Sequence, residues 1–438
     1  MIADSAKKMR CFEPISVLFT QPDSENHRMV TIGHIPRVVN SFFRPAWKNF
    51  SKPAWPHFWG LVTAIAMATE HTVERLNDLL RGHTHRTNDG EFLWRNDFDE
   101  AAVLQGIALR QLNRVWHKGQ PIYLILDDTQ ILKRAKKMEA VGKLYHHATG
   151  RYGNGHTIFK ASLYCGGVII PWGSWLYAKK QDAAQLGVPF ATLTELAADA
   201  VRRVCLPPTM PVTVLFDAYY LCANVTKAVE NKGWTYIGVG KSNRRLHVEG
   251  GSNRGQVLRS YGANVLRRSG KWCRITGLQR TNEYRVAERV GTMKKLGAVK
   301  VVFSRRRGDG KIVSLVTNDL KRSGKRVVGD YLRRWSIELL IKDEKQQLGL
   351  GAYRVLRYRA VVRHLHLVDC AYACLTHLGL DAQREQGQRK NKNVLRLPPI
   401  RQLKADLRQA VWNETVKDVV KVSHERQVIR RLEKLLAA

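Results

Sequence analysis

Apolar and polar residues follow a helical rhythm in the first part of the chain, after a polar, irregular lead-in at residues 1–34. Apolar side chains recur every three or four positions at residues 57–68, 72–80 and 98–117. That spacing places them on one face of an α-helix. We therefore predict a small helical domain over residues 35–117.

The pattern changes at residues 121–126, an almost continuous apolar run of strand length, and a second such run spans residues 211–216. Strands that are buried on both faces have this pattern. Acidic residues follow each run directly: Asp127 and Asp128 after the first, and Asp217 after the second. Since α/β sheets bind ligands at the carboxyl ends of their strands, these acids are candidates for chemistry.

Strand and helix patterns then alternate. We predict a hairpin at 156–177, helices at 190–204 and 223–232, a strand at 234–239, and further strands at 272–277, 284–290, 299–305 and 312–318. Glycines such as Gly262 mark predicted turns in the later part. The mixture predicts an α/β fold whose core begins at residues 118–239, with a β-rich insertion at 240–325.

The stretch from Gly329 to Gly349 has no proline, no internal glycine and many strong helix formers. At about 100° per residue, a stripe of the predicted helix carries one acid, three cations and a phenol. These are Tyr331, Arg334, Glu338, Lys342 and Lys345. With a helix at 360–378 it completes the core at residues 326–380, and residues 381–438 are predicted to be a polar linker and two basic helices.

The charge of the chain indicates its partner. Lysine and arginine number 73 against 37 acidic residues, a formal net charge of +36. An excess of this size indicates a polyanion, and DNA or RNA fits better than a membrane. No apolar run approaches the ~20 residues of a membrane-spanning helix. The seven cysteines include no Cys-x-x-Cys pair, which favours a reducing cytoplasm.

A nucleic-acid partner gives the helices at 57–68 and 72–80 two interpretations. They form either a helix-turn-helix that offers Arg75 and Arg81 to DNA or a plain helical hairpin. Thr69 is the predicted N-cap of the second helix. Arg244 and Arg245, in the basic insertion, are further candidates for DNA contacts.

Two strand-end aspartates and a helical glutamate suit chemistry on phosphodiester bonds. Their hard oxygen ligands favour Mg²⁺, with Mn²⁺ as a substitute, over zinc. Two such ions about 3.5–4 Å apart would activate the attacking oxygen and stabilise the departing one. One strand-end aspartate alone is more often a turn former. The combination of Asp217, Glu338 and one of Asp127 or Asp128 on a basic chain favours the metal site.

The spacing Tyr331-x2-Arg334-x3-Glu338-x6-Lys345 resembles the signature of one group of bacterial insertion-sequence transposases. The sequences LDDT and FDAYY around the aspartates are also similar to that group's. These transposases use a DDE triad on an RNase H-like fold, and the resemblance covers about residues 120–380. It implies an RNase H-like mixed sheet flanked by helices, with the insertion between the second and third acids.

The resemblance also implies roles for single residues. Asp127, Asp217 and Glu338 become the catalytic, metal-binding acids. Asp128 is the alternative to Asp127, because successive side chains of a strand point to opposite faces. DNA contacts are implied for Tyr331, Arg334, Lys342 and Lys345. Trp272 is either a residue that stacks on a flipped base, as in relatives that cut through a DNA hairpin, or a core residue of its strand.

The implied function is cut-and-paste transposition: Mg²⁺-dependent cleavage at the inverted repeats that end a transposon, followed by strand transfer into target DNA. The relatives act as homodimers on DNA, which implies a cytoplasmic protein at the bacterial nucleoid. An RNase H-like nuclease or resolvase is one alternative. A non-catalytic DNA-binding protein derived from a transposase is another.

Overall fold

The computed structural model describes residues 37–80, 85–135, 137–146, 150–250, 254–278, 280–385 and 395–422. Among the sequence predictions, the lead-in, Arg81, most of the linker and the last tail helix lie outside these ranges. No helix in the described ranges is both long and apolar enough to cross a membrane.

Helices form the N-terminal region: α1 (Arg37–Phe43), a 3-10 helix (Arg44–Asn49), α2 (Ala54–Met67), α3 (Val73–Leu79), α4 (Arg86–Arg95) and α5 (Glu100–Val115). The next elements are β1 (Ile122–Leu132), β2 (Gly142–His146), β3 (Arg151–Cys165), β4 (Val168–Leu176), α6 (Lys180–Leu186), α7 (Leu193–Arg203), β5 (Val212–Phe216), α8 (Ala223–Glu230) and β6 (Thr235–Val239). Then follow β7 (Arg245–Leu246), β8 (Gln256–Val257), α9 (Leu258–Ser269), β9 (Lys271–Thr276), β10 (Thr281–Met293), β11 (Gly297–Arg306) and β12 (Val313–Thr317). The chain continues through α10 (Gly324–Tyr331), a 3-10 turn (Leu332–Arg334), α11 (Trp335–Gln347), α12 (Tyr358–Glu385) and α13 (Ile400–Val422).

One large mixed sheet organises the molecule, in the order β2-β3-β1-β5-β6-β12-β11-β10-β9, with β4 paired to β3. β3 runs antiparallel to β1, whereas β5 and β6 run parallel to it. The part β4-β3-β1-β5-β6 is RNase H-like, and the predicted α/β fold class is confirmed. β12 pairs antiparallel with β6, so the strands of the predicted insertion extend the same sheet.

β1 is longer than predicted, because it continues from residue 126 to Leu132. Its parallel ladder with β5 ends at Ile125, but its antiparallel ladder with β3 continues to Leu132. The apolar run thus ends close to where the pairing with β5 ends, although the strand itself continues beside β3. Asp127 and Asp128 therefore lie inside a strand and beyond the end of its parallel neighbour.

The helix predicted from Gly329 to Gly349 is interrupted. It begins earlier, at Gly324, and a 3-10 turn at Leu332–Arg334 separates α10 from α11. Helix propensity does not detect this turn, in which Arg334 contacts a distant strand.

Helix α9 is absent from the sequence prediction because Gly262 was assigned to a turn. Gly262 instead lies in the helix, where a Cβ atom would come 2.5 Å from the ring of Phe303. The glycine allows close packing of helix on strand and forms no turn.

The second short helix near the N-terminus begins later than predicted. Thr72, rather than Thr69, is its N-cap and accepts a hydrogen bond from the backbone N–H of Arg75. The side chain of Arg75 is paired with Glu70 at 3.3 Å and Asp78 at 3.6 Å.

The N-terminal helices share one hydrophobic core with α12 and the start of α13. Phe58 and Val62 of α2 belong to the same buried cluster as Leu365 and Leu403. Lys404 of α13 donates to the backbone carbonyls of the C-terminal ends of α2 and α11. The first predicted tail helix is thus an integral part of the fold.

A buried charge network connects β3, α11 and α12. The Lys160 ammonium lies 2.6 Å from Oε2 of Glu344 and 2.8 Å from Oδ1 of Asp369, and all three side chains are fully buried. Ser174 donates to the second Asp369 oxygen at 2.6 Å. Burial raises the pKa of Glu344 well above its usual range. Burial also acts to raise the pKa of Asp369, but contact with Lys160 holds it below its ordinary value. The network thus places one buried ammonium between two buried carboxyl groups whose pKa values are shifted in opposite directions.

Glu344→Gln should change the free energy of unfolding by less than about 1 kcal/mol, because burial raises the pKa of Glu344 and favours the neutral form that glutamine resembles. Lys160→Met should cost about 3–5 kcal/mol, because it leaves the Asp369 carboxylate buried without its cation. Urea denaturation of both variants measures the difference. Equal losses would contradict the opposite directions of the pKa shifts of Glu344 and Asp369.

The side chains of Lys133 and His156 hold the loop that follows α11. The loop turns at Gly349, where φ is +68° and a Cβ atom would lie 2.3 Å from that of His71. Lys133 donates to the carbonyls of Gly351 and Tyr353, both at 2.8 Å. His156 donates from Nε2 to the carbonyl of Glu139 at 3.0 Å, so its Nδ1 accepts from the Tyr353 hydroxyl at 2.7 Å. The imidazole must be neutral to make both bonds.

The stability of the protein should decrease below neutral pH. Burial lowers the pKa of His156 to about 4, whereas an unfolded histidine titrates near 6.5. Only the unfolded state takes up this proton as pH falls from about 6.5 to 4, so stability is lost across that window. His156→Gln should reduce the slope of unfolding free energy against pH there by about 1.4 kcal/mol per unit. Urea titrations at several pH values test this, and unchanged slopes would contradict it.

Candidate active site

The alternation of side chains along β1 separates its two aspartates. Tyr123 and Ile125 belong to the buried cluster that includes Ile337 of α11. Asp127, two residues further on, points to this same face. Asp128 points to the other face, where the hydroxyl of Tyr220 donates to its Oδ1 at 2.8 Å.

Asp217 lies level with Asp127 on the neighbouring strand. Ile125 pairs with Leu215 in the parallel ladder, and the same register continued by two residues brings Asp127 beside Asp217. Neighbouring strands are about 4.8 Å apart. Leu215 shares the buried cluster below α11, so Asp217 continues that face. Its Oδ1 accepts from the backbone N–H of Tyr219 at 2.8 Å, which fixes the turn after the strand.

The Arg334 guanidinium joins the first and third predicted acids. Its NH1 donates to Oδ2 of Asp127 at 2.7 Å, and its NH2 donates to Oε1 of Glu338. The other oxygen of Asp127 accepts from the backbone N–H of Asp128 at 3.0 Å. The guanidinium and the Asp127 carboxylate are each only 17% exposed. The structure therefore brings Asp127, Asp217 and Glu338 to one face at one edge of the sheet.

The surroundings of these acids alter their protonation. Burial raises the pKa of Asp127 to about 6, and the charge of Asp217 acts in the same direction while Arg334 opposes it. Burial also raises the pKa of Glu338, again against the effect of Arg334. Burial raises the pKa of Tyr331 to about 12, and Asp217 and Asp127 contribute to this shift. The phenol of Tyr331 thus lies within the electrostatic reach of both aspartates.

A cleft of about 410 Å³ opens beside the acids. Its lining residues are Asp127, Asp128, Thr129, Glu338, Ile341, Lys342, Lys345 and Gln346. Lys342 and Lys345 are exposed, and the Lys345 ammonium donates to the Gln130 carbonyl at 3.1 Å. Carboxylates and lysine side chains line the cleft together, which makes it suitable for a phosphate group together with a cation.

The other predicted DNA contacts lie in the insertion. Arg244 donates to the Leu221 carbonyl, and Arg245 donates to the carbonyl of Gly255 at 3.2 Å. Trp272 on β9 is 47% exposed, and the Arg307 guanidinium carbon lies 5.3 Å from its ring centre. The interpretation of Trp272 as a core residue is therefore wrong.

The acids fit a divalent metal in their chemistry, because all of the oxygen donors are hard ligands. In the described residues, no three His, Cys, Asp or Glu side chains are arranged as ligands of one ion. The Arg334 guanidinium occupies the position between the Asp127 and Glu338 carboxylates, which shows that these two groups hold a cation together.

A family model of DDE superfamily endonucleases matches residues 60–293, more than half of the chain. The chain belongs to this family. It is thus a nuclease-type enzyme that cleaves phosphodiester bonds, with DNA as the substrate, in a family whose members generally depend on divalent metals. The match includes Asp127 and Asp217 and ends before Glu338. A search of curated proteins found no match.

Two features of the site are absent from the sequence analysis. The contact of Tyr220 with Asp128 follows from the turn that Asp217 caps, and no local pattern indicates it. The buried Lys160 has a weak signal, since it is a lysine within the buried second half of strand β3. Its acidic partners lie far along the chain, beyond the reach of local patterns.

Proposed function

We propose that this endonuclease is a DDE transposase of the insertion-sequence group with the Tyr-x2-Arg-x3-Glu-x6-Lys signature, and that it performs cut-and-paste transposition. The observation that carries the proposal is the level position of Asp127 and Asp217 on parallel strands, with Glu338 tied to Asp127 through Arg334. Three acids from three elements at one sheet edge are the arrangement that phosphodiester chemistry with metal ions requires.

In this proposal, Asp127, Asp217 and Glu338 hold Mg²⁺, for which Mn²⁺ can substitute. The bound ions would supply the positive charge that activates the attacking oxygen and stabilises the leaving oxygen. The residues of the chain position the DNA, and no covalent enzyme intermediate is needed. Lys342 and Lys345 line the cleft beside the acids and neutralise phosphates next to the scissile bond.

Further parts of the proposal concern DNA contacts and assembly. Tyr331, Arg334, Arg244 and Arg245 contact the DNA backbone, and the exposed Trp272 stacks on an extruded base. The domains at 35–117 and 240–325 bind transposon ends, the core at 118–239 and 326–380 is catalytic, and two copies of the chain act on paired ends.

The decisive experiment uses the DNA that flanks this gene. Purified full-length protein with Mg²⁺ should nick a plasmid at short inverted repeats bracketing the gene and join the released ends to a second plasmid. Cleavage without joining would replace the proposal by an RNase H-like nuclease or resolvase. Binding without nicking would replace it by a non-catalytic DNA-binding protein.

Asp127→Asn should reduce nicking by more than about 100-fold, because it removes a metal ligand. Glu338→Gln should do the same and leave DNA binding within a few-fold. The matched control is Asp128→Asn, which changes the neighbouring acid on the opposite face and should retain activity within about tenfold. Gel assays of nicking and binding measure both effects. Equal losses for Asp127→Asn and Asp128→Asn would contradict the assignment.

Lys345→Ala should weaken DNA binding and reduce the slope of log affinity against log salt by about 0.9, the value for one phosphate contact. The control is Lys118→Ala, an equal charge change at an exposed lysine just before the opposite end of β1. Binding titrations from 50 to 200 mM salt distinguish the variants. If the two slopes agree, Lys345 makes no phosphate contact of its own.

A further inference from the structure

The Arg334 guanidinium lies where a metal bound by Asp127 and Glu338 would have to lie. It donates to one oxygen of each carboxylate, and the second oxygen of Asp127 is engaged by backbone. A guanidinium does not lose its proton in proteins, so its charge cannot be removed by deprotonation. It therefore competes with any divalent cation for these oxygens.

Electrostatic repulsion between the two carboxylates explains why the guanidinium lies between them. Without a cation between them, two partly buried carboxylates repel each other, and one tends to become protonated. Arg334 lies one helical turn before Glu338, and its side chain is largely buried, so the fold supplies this counter-charge from within. A residue of the chain thus holds the two acids close together.

We propose that Arg334 is an exchangeable internal cation, which leaves the carboxylates when a DNA phosphate enters the cleft and thereby couples metal binding to DNA binding. This inference rests on the proposed function, in which Asp127 and Glu338 are metal ligands. A phosphate offers the guanidinium a bidentate partner as good as the carboxylates it leaves. Lys342 and Lys345 line the same cleft and attract that phosphate.

The exchange makes DNA and divalent metal mutually favourable ligands. Metal alone must displace Arg334, whereas metal with DNA finds the oxygens released. By linkage, each ligand then raises the affinity of the other by the same factor, typically 5-fold to 150-fold for coupled sites. Substrate-free enzyme would hold its metal weakly.

The experiment measures binding of Mn²⁺ to the full-length protein by the loss of the electron paramagnetic resonance signal of the free ion. It is performed without DNA and with a 20-base-pair duplex of arbitrary sequence, because phosphate contacts do not depend on sequence. Binding of Mn²⁺ to the duplex alone is subtracted. Wild-type protein should bind Mn²⁺ at least about 5-fold more tightly with the duplex than without it.

Arg334→Ala should bind Mn²⁺ at least about 5-fold more tightly than wild type in the absence of DNA, and the duplex should then add less than about 2-fold. Arg334→Gln, which retains hydrogen-bond donors without the charge, should give the same result. This variant tests the proposal if Arg334→Ala does not fold. Lys342→Ala removes a positive charge from the same cleft without touching the carboxylates, and in the absence of DNA it should change Mn²⁺ affinity by less than about 2-fold.

The outcomes separate this inference from the proposed function. If Asp127→Asn and Glu338→Gln abolish Mn²⁺ binding while both Arg334 variants bind as wild type does, the exchange is refuted and the metal site stands. If the two acid variants bind Mn²⁺ unchanged, the ligand assignment itself fails. An equal gain for Arg334→Ala and Lys342→Ala would reduce the effect to general electrostatics and overturn the proposal.

Discussion

A lysine ammonium with no access to water must be neutralised within the protein, and Lys160 meets this requirement with carboxyl groups from two helices, α11 and α12. An unpaired charge at such depth would cost several kcal/mol. The strand β3 and the helices α11 and α12 are therefore constrained to meet at one point. Glu344 is on the same helix as Glu338, so the network sets the height and rotation at which α11 presents its acid to the sheet.

Arg334 applies the same principle at a more accessible place. Its charge lies between two carboxylates, and here both carboxylates line a cleft that also contains the exposed residues Lys342 and Lys345. Lys160 is enclosed on all sides, and Arg334 is not. The difference in burial separates a permanent ion pair from one that can change partners. Helix α11 thus has a permanent ion pair near its C-terminal end, at Glu344, and an exchangeable one near its N-terminal end, at Glu338.

The sequence predicts those parts of the fold whose signals are local. The predictions of the strand before Asp217, of the β3–β4 hairpin and of the α/β class agree with the structure. Strands that are buried on both faces consist mostly of apolar residues, and such runs are visible in the sequence. The extension of β1 beyond Ile125 depends on its pairing with β3, which lies later in the chain. No pattern of apolar and polar residues indicates the 3-10 turn before α11. Likewise, the side of β1 that faces α11 is known only once the sheet is assembled.

The core shared by α2, α12 and α13 has a consequence for how the chain reaches its native state. Leu365 and Leu403, which cover Phe58 and Val62, leave the ribosome hundreds of residues after their partners. The N-terminal helices cannot bury their apolar faces against α12 and α13 until the ribosome has reached these later segments, so they stay partly exposed until then. Their folding, unlike that of a domain that folds as it emerges, depends on segments that are synthesised about 300 residues later.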